Sequence, residues 1–136
     1  MMHSNHIPPE SRQARRLLAH NAIFTGACAL PMVIASGVIA RAVLFSKDGA
    51  VIVSVIGFVL LGYAAALLFA RTQAPDKLRR WLLTFSAADA VWVLSTALLL
   101  LAMPAAFTPV GQAVAVVIAV VVGWFGIRQL LAGLGR

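Results

Sequence analysis

Asp89 lies within a long apolar stretch, where an ionisable side chain is costly and is therefore a candidate for function. A carboxyl group at such a position can bind a proton or a cation, or it can join helices by accepting hydrogen bonds. His20 and Asn21 lie near the start of the first apolar stretch, and Arg128 and Gln129 lie near the end of the last. The sequence therefore predicts an intramembrane polar cluster built from these five residues.

The sequence leaves three interpretations of Asp89 open. In the first, it pairs with Arg128 or accepts a hydrogen bond from His20 or Asn21, because a buried charge needs such partners to be tolerated. In the second, it is a proton or cation site. In the third, Asp89 is protonated and has no partner. Only the second interpretation requires Asp89 to titrate while the protein works.

Cysteine and histidine usage argues against several kinds of chemistry. Cys28 is the only cysteine, so an intrachain disulfide and a Cys-x-x-Cys redox pair are excluded. His3 and His6 lie near the start of the chain, which leaves His20 as the histidine within an apolar stretch. Zinc sites need three or four clustered ligands. We therefore expect no metal, no cofactor and no catalytic residue, although Asp89 and His20 could in principle form an acid–base couple.

Composition indicates which elements carry these residues. Of 136 residues, 62% are hydrophobic and 11% are charged, and the mean hydropathy is +0.96. Soluble domains have about 45–50% apolar and about 25% charged residues, so the chain is not typical of them. A membrane-spanning helix needs about 20 apolar residues. Four stretches have about this length, at residues 17–40, 50–70, 81–103 and 110–131.

The connections between these stretches are short, which predicts helices that pack as antiparallel neighbours. Each connection contains turn or helix-breaking residues, namely Asp48 with Gly49, Pro75 with Asp76, and Pro104 with Pro109. Thr108 and Gln112 have the character of residues that cap the last helix. The predicted fold is all-α: a polytopic membrane protein with an up-down bundle of four transmembrane helices over 17–136.

The beginning of the chain raises two separate questions. Residues 1–16 are polar and basic, and they predict a disordered tail. The first apolar stretch contains Pro31, which is expected to kink a helix. This stretch is longer than the apolar region of a signal peptide, which favours its retention, although its cleavage near Ala40 stays open.

The basic residues are distributed unevenly between the two predicted sides of the membrane. Nine lie on one side, namely Arg12, Arg15, Arg16, Arg71, Lys77, Arg79, Arg80, Arg128 and Arg136. Arg41 and Lys47 lie on the other side. By the positive-inside rule, both termini are expected in the cytoplasm. The formal net charge of +7 is then explained by topology and anionic headgroups, and nucleic acid is not an expected partner.

Small residues recur every four positions in two of the apolar stretches. They are Gly62, Ala66 and Ala70 in the second stretch, and Ala115, Ala119 and Gly123 in the fourth. Such spacing lets helix backbones approach closely. The contact could lie within one bundle or between the subunits of a homo-oligomer.

Several short motifs occur in a familiar order along the chain. They are Asn21, then Asp89-Ala90-Val91-Trp92-Val93, then Thr108-Pro109-Val110-Gly111, then Gln129. In this order the chain resembles small bacterial integral membrane proteins with four helices. The resemblance extends over nearly the whole chain and implies the architecture alone, without an activity.

The expected protein is a multi-pass component of the bacterial inner (plasma) membrane. We expect a non-enzymatic accessory or scaffold component, or a helical bundle that binds a lipid or a small molecule. Its expected partners are the lipid bilayer and either a second copy of the chain or a larger membrane complex. The alternative is a small transporter or channel component in which Asp89 is the coupling site for a proton or a cation.

Overall fold

The computed structural model of the chain describes residues 9–46 and 48–135, and most of these residues are helical. The helices are α1 (Pro9–Ile34), α2 (Ser36–Val43), α3 (Gly49–Ala70), α4 (Pro75–Ala102) and α5 (Pro109–Gly133). A 3-10 turn at Pro104–Ala106 precedes α5. Four helices, α1, α3, α4 and α5, are long and apolar enough to cross a membrane. The predictions of an all-helical fold and of four long apolar helices are confirmed.

Two helices begin earlier than the apolar pattern predicts. Helix α1 begins at Pro9, so the predicted tail is helical from that residue onward, while residues 1–8 lie outside the described part. Helix α4 begins at Pro75, and Arg79 and Arg80 therefore belong to it. Proline suits the first position of a helix because its missing N–H would have no intrahelical partner there. The apolar pattern identifies the part of each helix that is long enough to cross a membrane. It does not identify the polar turns with which α1 and α4 begin.

The first apolar stretch forms two helices. Pro31 lies within α1, and the chain leaves helical geometry at Ala35, with φ −123° and ψ 33°. A proline inside a helix removes a hydrogen bond and crowds the preceding turn. The segment after this break continues as α2 and turns toward α3 and α5.

The helices associate mainly as two pairs, α1 with α3 and α4 with α5, and α1 also touches α4 and α5. Gly57, near the middle of α3, lies against the later part of α1, where an added Cβ would be 3.2 Å from the Ala29 carbonyl oxygen. Gly133, at the end of α5, lies against Leu83 near the start of α4. Glycine permits these close approaches because it has no side chain to separate the backbones.

The buried apolar cluster lies at the end of the molecule where α1 begins. Its members are Ala14, Leu18, Ala22, Leu67, Ala70, Leu78, Leu82 and Phe85. Elsewhere the spanning helices expose large apolar side chains, such as Ile34 at 81% and Leu101 at 80%. Such a surface matches a lipid environment, since apolar side chains on all sides of a helix are typical of membrane spans.

The opposite end is fixed by the α2–α5 junction, which consists of Ala42, Val43, Thr108 and Gly111. The Thr108 hydroxyl donates to the Ala42 carbonyl at 2.6 Å and accepts from the Gly111 N–H at 2.9 Å. The Thr108 N–H donates to the Val43 carbonyl at 3.0 Å. The prediction of Thr108 as a cap of the last helix is confirmed. The cap and the contact between α2 and α5 depend on the same hydroxyl group.

Candidate functional site

Asp89 is 3% exposed, although it belongs to one of the four apolar helices. Helix α5 passes close to it because residue 126 is glycine. A Cβ added there would lie 3.1 Å from the Asp89 Cβ. The backbone of α5 therefore covers one side of the carboxylate, and the two carboxylate oxygens face α1 and α3.

Both carboxylate oxygens of Asp89 accept hydrogen bonds from other helices. The Tyr63 hydroxyl of α3 donates to Oδ1 at 2.7 Å, and the Asn21 side-chain amide of α1 donates to Oδ2 at 3.3 Å. The Thr25 hydroxyl donates to the Asn21 Oδ1 at 3.2 Å. We call Asp89, Tyr63, Asn21 and Thr25 the Asp89 network. It ties α1 and α3 to α4 through side chains of which Asp89, Asn21 and Thr25 are buried.

Aromatic rings support this network on one side. Tyr63 meets Phe85 edge to face at a centroid distance of 5.4 Å, and Phe85 stacks on Trp81, also at 5.4 Å. Trp81 in turn meets Phe69 edge to face at 6.3 Å. Each such pair contributes about 0.5–1.5 kcal/mol beyond its buried area. The rings join α3 to α4 and hold the Tyr63 hydroxyl in position to donate to Asp89.

Gln129 is completely buried, and neither its Nε2 nor its Oε1 has a hydrogen-bond partner among the described residues. It lies on α5 between Gly126, which meets Asp89, and Gly133, which meets Leu83. Gln129 is therefore less than one helical turn from the glycine that covers Asp89. A buried amide left without partners costs about 1–3 kcal/mol. Its donor and acceptor could serve a bound polar group.

The structure brings together only some of the predicted cluster. Asp89 and Asn21 are in direct contact, and Gln129 is buried nearby. His20 is exposed. Arg128 is also exposed, and its guanidinium lies 5.6 Å from the centre of the Trp124 ring. The side chains that hydrogen-bond to Asp89 within the described part of the chain are neutral.

Tyr63 and Thr25 are not among the predicted residues of the polar cluster. Thr25 lies four residues after Asn21, so both are on one face of a helix, and this spacing was a usable signal. Tyr63 is the only tyrosine in the chain and lies within an apolar stretch, where its hydroxyl needs a partner. No sequence pattern relates Tyr63 to Asp89, because they are brought together by the packing of α3 on α4.

The small residues at four-residue spacing occupy different environments. Ala70 is fully buried, Ala66 packs against the apolar cluster, and Gly123 approaches Val93. Ala115 and Ala119 are partly exposed. Gly62 is exposed, and an added Cβ there would meet nothing within 4 Å. Close contact of Gly62 with a second copy of the chain stays a prediction.

A cleft with a mixed polar and apolar lining lies at the end of the molecule where α1 begins. It has two adjoining parts, of about 330 and 270 Å³, that share Ala14, Ala132 and Gly135. Arg128 lines the first part and Arg79 the second. We call this feature the basic cleft. It is formed by α1, α4 and the end of α5.

The described side chains give no indication of a metal centre. Across residues 9–46 and 48–135, no group of three His, Cys, Asp or Glu side chains could hold a metal ion. Comparisons with family models, with curated proteins and with solved structures give no match. The function is therefore inferred from the Asp89 network and the basic cleft themselves.

Proposed function

We propose that the chain is a multi-pass protein of the bacterial inner membrane, with an up-down bundle of four transmembrane helices and both termini in the cytoplasm. Arg15, near the start of α1, donates to the carbonyls of Arg71 and Gln73, which follow α3. Gln13, near the start of α1, and Gly135, which follows α5, both line the basic cleft. Arg15, Arg71 and Arg128, one described member of each basic group that the sequence assigns to the cytoplasm, therefore lie at one end of the molecule, in agreement with the positive-inside rule.

This orientation is testable with single cysteines in a Cys28→Ala background. Thr72 and Ser46 are exposed residues in connections at opposite ends of the molecule. In vesicles with the native outside exposed, a membrane-impermeant maleimide is expected to label Ser46→Cys at once and Thr72→Cys only after permeabilisation. Equal labelling of the two variants before permeabilisation would contradict the proposed orientation.

For activity, we propose a non-enzymatic bundle that acts as an accessory or scaffold component, or that binds a lipid or a small molecule. The observation that carries this proposal is the use of both Asp89 oxygens by neutral groups of neighbouring helices. A carboxylate engaged in this way holds helices in one arrangement. Retention of buried polar groups for such specificity is known from other helical assemblies.

Native mass spectrometry of the full-length protein, released gently from its own membrane, tests this proposal. The expected result is a complex with another protein, or a mass increment from a bound lipid or small molecule. A bare homo-oligomer without any bound molecule would contradict it. The same measurement is made on the variant Asp89→Asn. Its control is Asp76→Asn, which changes an exposed carboxylate on the same helix, α4.

A second candidate is a small transporter or channel component that uses Asp89 as a proton or cation site. Gln129 favours it, because its amide is buried and unpaired among the described residues and lies close to the helix surface that covers Asp89. Polar groups inside membrane helices commonly mark an ion or substrate path. Asp89→Asn separates this candidate from the first by its effect on flux, as developed in the Discussion.

A further inference from the structure

The described lining of the basic cleft contains two arginines, Arg128 and Arg79, and no acidic residue. The positive-inside rule assigns nine basic residues of the sequence to the cytoplasmic side of the membrane, against the acidic Glu10 and Asp76. Charge alone would attract any anionic surface in a diffuse way. The cleft adds a concave space in which two guanidinium groups, of Arg128 and Arg79, lie beside adjoining volumes.

Within residues 9–46 and 48–135, both guanidinium groups retain donors that have no hydrogen-bond acceptor. Arg79 donates its Nε–H to the Gly133 carbonyl at 2.7 Å, and this bond fixes its position beside the end of α5. Its two terminal amino groups have no partner among the described residues. Arg128 contacts the Trp124 ring and makes no hydrogen bond to the described part of the chain. Planar guanidinium donors are suited to the oxygens of a phosphate, which they can bind in pairs.

The side of the cleft that faces away from the bundle is apolar. Trp124, Arg128 and Leu131 follow one another at four- and three-residue spacing, so they share a face of α5, and all three are exposed. Leu131 also lines the cleft. A molecule held there by Arg128 would have apolar side chains beside it along the same helix.

We propose that the basic cleft binds the phosphodiester group of an anionic phospholipid, with the phosphate at Arg128, the Arg79 guanidinium adding positive charge in the adjoining part of the cleft, and an acyl chain beside Trp124 and Leu131. The inference rests on the lipid-binding form of the proposed function and specifies the ligand class and the site. Basic pockets between membrane helices on the cytoplasmic side commonly bind anionic headgroups. Inorganic phosphate shares the polar chemistry of this ligand and lacks the acyl chain.

The test is a lipid titration of the full-length protein in detergent, followed by native mass spectrometry. The probes are phosphatidylglycerol, phosphatidylcholine and inorganic phosphate. We expect phosphatidylglycerol to bind saturably and more tightly than phosphatidylcholine. Arg128→Gln is expected to weaken phosphatidylglycerol binding about tenfold, the effect of losing one charge-assisted contact. Arg128 makes no hydrogen bond that stabilises the described fold, so this variant is expected to remain folded.

Arg80→Gln is the matched control, because Arg80 lies on α4 at the same end and does not line the basic cleft. Its binding of phosphatidylglycerol is expected to equal that of the unchanged protein. Equal weakening by Arg128→Gln and Arg80→Gln would overturn the proposal in favour of diffuse surface attraction. Binding of inorganic phosphate as tight as that of phosphatidylglycerol would overturn the lipid assignment. Neither outcome affects a protein complex found in the gentle extraction, so the two proposals fail independently.

Discussion

Gly111→Ala is expected to destabilise the protein by about 3 kcal/mol, at the upper end of the usual cost of overpacking. A Cβ at this position would overlap the Val43 carbonyl oxygen and lie 2.8 Å from its carbonyl carbon. Those atoms belong to the backbone of α2, so no side-chain rotation can relieve the overlap. Separation of α2 from α5 would also break the bonds from Thr108 to Ala42 and Val43.

The measurement is unfolding of the detergent-solubilised protein by sodium dodecyl sulfate, followed by circular dichroism. Gly26→Ala is the matched control, since an added Cβ there meets nothing within 4 Å. It is expected to keep or slightly raise stability, because alanine favours a helix over glycine by about 0.5–1 kcal/mol. A Gly111→Ala protein as stable as this control would show that α2 does not pack against α5 as described.

The importance of Gly111 could not be predicted from its sequence context, whereas the cap at Thr108 could. Thr108 precedes Pro109 and an apolar stretch, which is a recognisable helix start. The close approach at Gly111 depends on where α2 ends, and that follows from the break at Ala35 between α1 and α2. The sequence therefore indicates the existence of the helices, while the contact between distant helix ends arises only from their packing.

The Asp89 network was likewise predictable from the sequence only in part. The cost of an ionisable group in an apolar stretch identifies Asp89, and its partner Asn21 was among the predicted candidates. Arg128 was a reasonable candidate by charge, but its side chain lies on Trp124 at the surface of α5. The rotation of each helix about its own axis decides such outcomes. That rotation is weakly encoded here, because apolar residues cover all sides of the spanning helices.

Asp89→Ala is expected to destabilise the protein by about 3 kcal/mol, through a cavity and through loss of the acceptor for two buried donors. The Asn21 amide would have no acceptor, whereas the Tyr63 hydroxyl could still donate to the Phe85 carbonyl, 3.3 Å away. Asp89→Asn keeps one oxygen and is expected to cost about 1 kcal/mol. Asp76→Ala changes an exposed carboxylate in the first turn of the same helix and is expected to cost at most about 1 kcal/mol.

A double-mutant cycle tests whether the hydrogen bond between Asn21 and Asp89 contributes to the stability that Asp89→Ala loses. If Asn21 and Asp89 interact as described, Asn21→Ala and Asp89→Ala together should cost less than the sum of the two single changes, because each removes the same bond. Additive effects would show that the bond contributes nothing to stability.

The proton flux across reconstituted vesicles distinguishes the scaffold from the transporter. In a scaffold, Asp89→Asn is expected to leave the proton permeability of reconstituted vesicles equal to that of vesicles with the unchanged protein. In a transporter, the unchanged protein would conduct protons or couple them to a solute, and Asp89→Asn would abolish that flux while the protein remained folded, because an amide cannot take up and release the proton. An asparagine at position 89 can keep part of the hydrogen-bond network. A loss of flux with little change in stability would therefore show that Asp89 acts by taking up and releasing a proton. Equal permeability would show that Asp89 acts by holding α1 and α3 against α4.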